Sequence, residues 1–310
     1  MYEKIKLTKD AFQIDAQQWC KEIEEFIREK FSESNRDGIV VTISGGLDSS
    51  VNAALCASAI GKDKVKGLML PERWGNPEAD YYGRIMVRHL GIDTEMINIS
   101  AILRGLGTSN LILSITSGRR FWKGIVNKTM QKRGHSIKGD YLDTLKGTLD
   151  PSTRKLISKI SSKQRARTLV AYKYAEENNY MVAGSAHKTE RTVGLFVKYG
   201  IDDCADIMPM KNIYRSHILQ LAEFLKVPSE IIHRPPNPDI LPGVTDKYMS
   251  YLDMDSTQVD LIVYGLEKGM TANEIANQLG MNEQEIKQIQ EIIRLSENTR
   301  NHSLAPILKC

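Results

Sequence analysis

The chain has 310 residues, of which 41% are hydrophobic and 26% charged, a balance typical of globular proteins that excludes a disordered or fibrous chain. The net charge is a modest +4, no apolar run reaches the ~18–20 residues that span a bilayer, and the first residues contain no apolar stretch typical of a secretory signal. The four cysteines lie far apart and form no CxxC pair, which argues against structural zinc or a disulfide scaffold, so we expect a cytoplasmic protein without membrane contacts.

The N-terminal third alternates between helical and strand patterns. Apolar residues recur at three- and four-residue steps over residues 12–31, which predicts an amphipathic helix. The run Gly38–Ile43 is β-branched and apolar on both faces, as in a buried parallel strand. Further helices are predicted at 49–59 and 77–90, and further strands at 65–70 and 92–99. This alternation predicts a doubly wound α/β fold with a mostly parallel sheet flanked by helices, built as a single domain over 1–310.

The pattern loosens over residues 104–160, which are rich in Gly, Ser, Thr and Lys and have no strong period. We interpret this stretch as a lid or an inserted pair of helices. It overlaps a basic block, Arg119–Arg167, with 14 Lys and Arg against 3 Asp in an otherwise acidic chain. Such a block indicates either a polyanionic partner, such as nucleotide phosphates or RNA, or a solvated surface.

Regular patterns resume after the loosened stretch. Helices are predicted at 162–178 and 214–225, a fourth strand at 180–184, and a proline-rich turn at 235–238. The C-terminal part, 255–310, is predicted to be helical, with three short helices between Ser256 and Ser296. Residues 271–286 have helix–turn–helix spacing, but they carry several Glu and few basic residues, so DNA binding is not favoured.

The residues that indicate chemistry lie between the first strand and its helix, where 44–50 read Ser-Gly-Gly-Leu-Asp-Ser-Ser. Two glycines allow close approach of the backbone to a ligand, and successive N–H groups before a helix N-terminus favour an anion. The hydroxyls of Ser44, Ser49 and Ser50 add donors. Asp48 is out of place beside phosphates unless it holds a cation, so we interpret it as a Mg²⁺ ligand. The loop is not the GxxxxGK[ST] phosphate loop, because it has no Lys.

This loop resembles the pyrophosphate loop of the N-type ATP pyrophosphatases, the PP-loop superfamily with the adenine nucleotide alpha hydrolase-like fold. The resemblance implies that the triphosphate of ATP binds there, that AMP is transferred to a substrate oxygen, and that pyrophosphate is released. The residues themselves leave one alternative to a phosphate-binding loop, an ordinary strand–helix turn in which Asp and Ser cap the helix.

A later series of motifs selects one branch of that superfamily. The sequence reads Gly-Ser-Ala-His-Lys-Thr-Glu at 184–190, Lys-Tyr-Gly at 198–200 and Asp-Ile-Met-Pro at 206–209. This order is similar to that of the ammonia-dependent NAD synthetases, from about residue 20 to the C-terminus. Residues 104–160 match that family poorly.

The resemblance implies a role for each matching residue. Asp48 and Glu190 are expected to be catalytic and to bind Mg²⁺, whereas His187 is either a catalytic or a packed histidine. The residues expected to contact ATP are Ser44, Gly45, Gly46, Asp48, Ser49, Ser50, Ser185 and Arg215. Those expected to contact the carboxylate-bearing dinucleotide are Arg165, Lys198 and Asp206.

Several positions depart from the family pattern. Val197 and Ile201 stand where members usually have Thr and Asp on either side of the Lys-Tyr-Gly, and Asn237 replaces a Thr. Arg215 replaces a Lys, which keeps the charge and changes its geometry. A C-terminal His-Lys-Arg is replaced by residues 299–302. The half that binds ATP is kept, and the half that recognises the acid is altered.

These observations predict an ammonia-dependent NAD synthetase-like carbon–nitrogen ligase. It would adenylate the nicotinate carboxylate of deamido-NAD with release of pyrophosphate, and ammonia would then displace AMP to give NAD. The sequence before the first strand lacks a glutaminase, so ammonia is expected to be free or supplied by a separate glutaminase. The resemblance also implies a homodimer.

Three alternatives stay open. A related ligase would amidate a different metabolite carboxylate, which suits the altered acid half. A PP-loop RNA-modifying enzyme would suit the basic block, although suitably placed cysteines are missing. A nucleotide-binding regulator would use the C-terminal helices instead of catalysing a reaction.

Overall fold

The structure is a computed structural model that describes residues 5–73, 75–108, 136–237 and 244–301. Four strands form one parallel sheet, β1 Gly38–Thr42, β2 Val65–Met69, β3 Asp93–Met96 and β4 Tyr180–Ala183. Their order across the sheet is β3-β2-β1-β4, with Ile39 opposite Val65 and Val41 opposite Ala183. This order, with β1 next to both β2 and β4, is the doubly wound arrangement that the alternating pattern predicts.

The helices, in chain order, are α1 Ala16–Ser34, α2 Leu47–Ile60, α3 Pro77–Leu90, α4 Ser100–Gly105, α5 Ile137–Lys146, α6 Pro151–Glu177, α7 Lys188–Val193, α8 Arg215–Phe224, α9 Ser229–Ile232, α10 Lys247–Leu252, α11 Ser256–Glu267, α12 Ala272–Leu279, α13 Glu283–Leu295 and α14 Glu297–Arg300. Short 3₁₀ helices occupy Lys9–Phe12 and Lys62–Lys64. None of the helices in the described ranges is both long and apolar enough to cross a membrane.

Both faces of the sheet are covered, which explains why β1 is apolar on both faces as far as Val41. Ile39 and Val41 point into a core shared with α1, α2 and α8, whereas Val40 points into the opposite core with α6. Because side chains alternate along a strand, a run with no polar residue needs an apolar layer on each side. The sheet therefore lies between two helical layers.

The helix boundaries differ most from the predicted ones in two places. The helix expected at 162–178 begins earlier, at Pro151, because Asp150 caps it: its carboxylate accepts hydrogen bonds from the N–H groups of Ser152 (2.8 Å) and Thr153 (3.2 Å), and Pro suits the first helical position. The helix expected at 12–31 is interrupted, since Gln13 is extended and α1 begins only at Ala16. Of the lid or inserted pair of helices expected at 104–160, residues 109–135 lie outside the described residues, whereas α5 and the first turns of α6 occupy much of the described remainder.

The three helices predicted between Ser256 and Ser296 are confirmed as α11, α12 and α13. They pack into a separate hydrophobic cluster together with Phe12 and Tyr248. The apolar residues that produce the helix–turn–helix spacing, such as Ile275 and Ile286, are fully buried there. That spacing therefore serves core packing.

Candidate active site

The loop at 44–50 leaves the carboxyl end of β1 and turns directly into α2. Gly45 has a φ of +74°, and a Cβ there would lie 2.5 Å from the carbonyl oxygen of Ala79 and 2.8 Å from the nitrogen of Gly83. Only glycine fits both this backbone conformation and the contact with α3. Gly46, the N-cap of α2, has a φ of −87°, and a Cβ there would meet only the Ser44 hydroxyl, at 3.4 Å. The close approach of the loop to its neighbour thus depends on Gly45.

The serine hydroxyls hold the shape of this loop. Ser44 and Ser49 share a hydrogen bond of 3.0 Å between their Oγ atoms, and the Gly46 N–H donates to Ser44 Oγ at 3.3 Å. Ser50 Oγ is buried and donates to the Gly46 carbonyl at 2.8 Å. Ser44 is exposed at the mouth of the loop, whereas Ser50 is used inside the first turn of α2. Direct contact of each serine with ATP stays a prediction.

Asp48 lies in the first turn of α2 and faces three other elements. Arg215, the first residue of α8, donates from Nη1 to Asp48 Oδ1 at 2.9 Å. The Nζ of Lys247 lies 4.0 Å from Asp48 Oδ2, and Nε2 of His187 lies 3.9 Å from Oδ1. Burial alone would raise the pKa of Asp48, but the charges of Arg215 and Lys247 hold that pKa below its ordinary value. Asp48 is therefore a carboxylate.

Glu190 reaches the same place from α7, which follows β4. Its side chain is buried, and Oε1 contacts the ammonium of Lys247 and lies 3.6 Å from His187 Nε2. The ligand atoms of Asp48, His187 and Glu190 all lie within 4.8 Å of one another. Two carboxylates from separate segments provide the hard oxygen ligands that Mg²⁺ prefers, so the donor set fits that ion.

His187 is completely buried at the N-cap of α7. Burial lowers its pKa to about 3, against the raising effect of Asp48, and the charges of Lys247 and Arg215 lower it further. The imidazole is therefore neutral. Nε2 lies 3.4 Å from the Tyr248 hydroxyl, and Nδ1 has no hydrogen-bond partner within the part of the chain that the structure describes. A neutral buried ring of this kind fits packing between the carboxylates better than proton transfer at neutral pH.

A buried network beneath the site joins α7, α8 and α11. Asp260, fully buried on α11, accepts hydrogen bonds from the Thr189 hydroxyl, the Ser216 hydroxyl (2.6 Å) and the Ser216 N–H (2.8 Å). Thr189 in turn accepts from the N–H of Arg215 at 3.0 Å. These bonds fix the helix that carries Glu190 relative to the helix that carries Arg215.

Ser185, the other residue predicted to contact ATP, lies between β4 and α7. Its hydroxyl donates to Asp202 Oδ1 at 2.9 Å. Burial raises the pKa of Asp202, and the negative charge of Asp48 raises it further. Ser185 therefore lies beside Asp202, a carboxyl group that the sequence motifs did not single out.

The residues predicted to contact the acid are Arg165, Lys198 and Asp206, and they bond to different partners from those of Asp48. Arg165 Nε donates to the Lys198 carbonyl at 3.2 Å, and the Lys198 ammonium donates to the carbonyls of Asn298 (2.8 Å) and Asn301 (2.6 Å). Asp206 accepts from the Val182 N–H at 2.7 Å and from the Tyr172 hydroxyl at 3.1 Å, so its hydrogen bonds run to β4 and α6. The structure joins Arg165 to Lys198 and leaves Asp206 apart from them.

Ile201, which departs from the family pattern, has a structural explanation. Its side chain is buried in the core between the sheet and α6, together with Val182 and Ala171. An aspartate there would need a polar partner inside an apolar cluster, which is costly. Ile201 is thus part of the core beneath the Lys198 segment.

Two site residues have no sequence motif that would have singled them out. Lys247 reaches both carboxylates from α10. Arg234 donates from Nη1 to the Gly45 carbonyl at 3.1 Å, and its guanidinium lies 4.9 Å from the centroid of the Tyr82 ring. Arg234 precedes the proline-rich turn, and Lys247 follows the helix cap Asp246. These neighbours indicate the local backbone conformation and give no sign of a functional site.

The chain is similar to proteins of one family over most of its length. A family model described as NAD synthase matches residues 19–116 and 122–303. The NH(3)-dependent NAD(+) synthetase of Thermotoga neapolitana is 34% identical over 281 residues, covering 89% of this chain and 91% of that protein. The enzyme of the same name from Methanocaldococcus jannaschii is 32% identical and covers 90% of this chain and 92% of its own.

Solved structures share the fold at lower identity. The NMN synthetase from Francisella tularensis has a TM-score of 0.70 at 19% identity and covers 96% of this chain and 100% of its own. The NH3-dependent NAD synthetase from Campylobacter jejuni has a TM-score of 0.66 at 21% identity, with the same coverage. These similarities establish the α/β fold with its helical C-terminal part.

Proposed function

The chain belongs to the NAD synthase family, and on that premise we propose that the loop at 44–50, with Asp48 and Glu190, forms the active site of its ligase reaction. The protein is an ATP-dependent, ammonia-using NAD synthetase that amidates deamido-NAD. The observation that carries the site assignment is the meeting of the Asp48 and Glu190 carboxylates beside a glycine-rich helix N-terminus. The pair is suited to a metal–triphosphate complex.

The reaction has two steps. A carboxylate oxygen of deamido-NAD attacks the α-phosphorus of ATP, the bond from that phosphorus to the β-phosphate oxygen breaks, and pyrophosphate leaves with the electron pair. Ammonia then attacks the acyl carbon, loses a proton, and displaces AMP, which keeps the carboxylate oxygen. Neither step needs a covalent bond to the protein, so positioning and electrostatic stabilisation supply the catalysis.

The side chains of the site have matching tasks. The loop amides at the start of α2 bind phosphate oxygens, because these N–H groups have no partner inside the helix. Arg215 and Lys247 bring positive charge to the place where the pyrophosphate leaves. The Thr189–Asp260–Ser216 network keeps α7 and α8 in register, so the charge of Arg215 needs no rearrangement during the reaction.

ATP is a substrate and Mg²⁺ is the metal that accompanies it in this family. We assign Asp48 and Glu190 as the residues that hold the ion, since both are carboxylates of the same donor group. When bound, Mg²⁺ neutralises negative charge on the phosphate oxygens. Ser44, which follows β1, and Ser185, which follows β4, are proposed to contact ATP at the carboxyl ends of these two neighbouring strands.

Arg165, Lys198 and Asp206 are proposed to bind the acid substrate. Arg165 is exposed and its guanidinium uses one N–H on the Lys198 carbonyl, which leaves donors for a carboxylate or phosphate. Lys198 acts by holding the 298–301 segment beside Arg165. Val197 and Ile201, which depart from the family pattern, flank the Lys-Tyr-Gly segment that carries Lys198.

We further propose that residues 1–310 act as one α/β domain with a C-terminal helical part, as a cytoplasmic homodimer, with ammonia free or delivered by a separate glutaminase. Light scattering at several concentrations tests the dimer. Replacing ammonium chloride with glutamine in the assay tests the nitrogen source, and activity with glutamine alone would contradict this proposal.

The decisive experiment measures pyrophosphate release and NAD formation in parallel, with ATP, Mg²⁺ and ammonia. Deamido-NAD should stimulate pyrophosphate release and yield NAD in equal amount. Nicotinate mononucleotide and other carboxylates form the second arm, because the acid half of the site is altered. A clear preference for one of them over deamido-NAD would assign a different acid to the same chemistry.

A further inference from the structure

Lys247 occupies an unusual position for a lysine. It is the first residue of α10, its side chain is 12% exposed, and its ammonium contacts Glu190 Oε1 while lying 4.0 Å from Asp48 Oδ2. A lysine ammonium usually stays in water at the end of its flexible stem. Here it lies between the two carboxylates that we assign to the metal.

Among the directly paired side chains, the charges balance without a metal ion. The two carboxylates of Asp48 and Glu190 face two cations, Arg215 and Lys247, and the neutral ring of His187 completes the group. Arg215 is fixed from below, because its own N–H is bonded to Thr189. Lys247 is anchored at its backbone in the same way, since its N–H donates to the Pro236 carbonyl at 3.0 Å, and its ammonium also lies 5.5 Å from the centroid of the Tyr248 ring. The flexible four-carbon stem of Lys247, unlike the planar guanidinium of Arg215, lets the ammonium change partners while that backbone stays in place.

From this geometry we propose that the Lys247 ammonium occupies the metal site in the nucleotide-free protein, where it pairs with Glu190 and Asp48 and excludes a bare divalent ion. When ATP and Mg²⁺ enter together, the ammonium moves to the triphosphate. The inference rests on the proposed function of this site. A bare divalent ion would add two positive charges to a balanced group, whereas an ion bound to ATP brings compensating negative charge. The three donors of the displaced ammonium can then bind phosphate oxygens.

This arrangement would make the metal enter the site with the nucleotide and not before it. A lysine that only helped α10 to fold would affect stability and leave the order of binding unchanged. The order of binding is therefore the property that separates the two roles.

The test uses Mn²⁺, whose free ion is counted by electron paramagnetic resonance, and α,β-methylene ATP, which cannot release pyrophosphate. Wild-type protein is titrated with Mn²⁺ alone and with Mn²⁺ plus the analogue. The same titrations are made with Lys247→Met, with Lys247→Gln, and with the double variant Lys247→Met/Glu190→Gln. Lys66→Met is the matched control, because Lys66 also has a mostly buried side chain (13% exposed) and pairs with a carboxylate, that of Asp93, at 2.8 Å.

We expect wild-type protein to bind Mn²⁺ alone at least about tenfold more weakly than in the presence of the analogue. Lys247→Met and Lys247→Gln should tighten binding of Mn²⁺ alone by about tenfold and weaken binding of the analogue by a similar factor. The double variant should lose the gain, and Lys66→Met should match wild type in both titrations.

Tight binding of Mn²⁺ alone to wild-type protein would overturn the inference without any variant. So would unchanged Mn²⁺ affinity in a Lys247 variant that still melts cooperatively and binds the analogue. If wild-type protein binds no Mn²⁺ even with the analogue, the metal and ATP assignment itself fails, and the inference fails with it.

Discussion

The group around Asp48 and the group around Lys198 are both built from charged side chains, but they use those charges in opposite ways. Around Asp48, carboxylates and cations pair with one another in a largely buried setting. Around Lys198, charged groups are exposed or half-buried, and they bind backbone carbonyl groups. We call the first the Asp48 cluster (Asp48, His187, Glu190, Arg215 and Lys247) and the second the Lys198 cluster (Arg165 and Lys198).

The difference separates two kinds of site. The Asp48 cluster holds charges that can exchange partners with an incoming ion or phosphate, because each ion pair is replaceable by another. The Lys198 cluster fixes backbone segments that are distant in sequence, so its side chains shape a surface as well as offering charge. Changes in the Asp48 cluster should therefore act on catalysis, and changes in the Lys198 cluster on affinity for the acid.

The largest effect is expected from Asp48→Asn, which removes one negative charge with little change in shape. The rate of pyrophosphate release should fall by about 10²–10³-fold, because the metal loses a ligand and Arg215 loses its partner. Glu190→Gln should behave similarly. Asp253→Asn, an exposed aspartate paired with Lys138, serves as the control. A wild-type rate for Asp48→Asn at limiting Mg²⁺ would remove the metal role from this cluster.

Backbone shape beside the Asp48 cluster is tested by Gly45→Ala against Gly46→Ala. Gly45→Ala should lower the free energy of unfolding by about 2–4 kcal/mol, since it adds a Cβ to a positive φ and drives it into the backbone of α3. Gly46→Ala, with its negative φ and one contact at 3.4 Å, should cost much less. Urea unfolding of both variants measures the difference, and equal losses would show that crowding at Gly45 is relieved by a shift of α3.

The Lys198 cluster is tested by Lys198→Ala. The KM for deamido-NAD should rise by about tenfold while the KM for ATP stays within about twofold, because the change frees the 298–301 segment and leaves the Asp48 cluster intact. Lys287→Ala, on the exposed pair with Glu283, is the control. An equal rise in both KM values would mean that the two clusters act as one.

The smallest expected effect concerns acid stability at His217, on the helix α8 that also carries Arg215 of the Asp48 cluster. Burial, and then the charge of Lys188, lowers the pKa of His217 to about 4, whereas an unfolded chain has a histidine pKa near ~6.5. The unfolded state therefore takes up a proton first as the pH falls below that value, and stability is lost between the two pKa values. The stability of wild-type protein should fall between pH 7 and pH 5 by about 1 kcal/mol more than that of His217→Gln. Parallel pH profiles of the two proteins in urea unfolding would contradict this assignment.

Much of the fold was predictable because its signals are local. The apolar run at β1, the glycine-marked helix ends and the three C-terminal helices each depend on a few consecutive residues. The early start of α6 was missed although Asp150-Pro151 is a strong N-terminal signal, because the composition around it suggested a loop. The motif at 184–190 was also local, and the structure places its Glu190 close to Asp48, whereas their shared metal role stays a prediction.

By itself the sequence determined the family, the glycine-rich loop and the pair of carboxylates, since each is written in consecutive residues with fixed spacing. Only the tertiary structure decided that Arg215 binds Asp48 from 167 residues away and that Lys247 lies between the two carboxylates. It likewise decided that Lys198 holds the backbone at Asn301, 103 residues later. Long charged side chains can reach many partners, and the packing of α8, α10 and the C-terminal segment selects which partner each one meets.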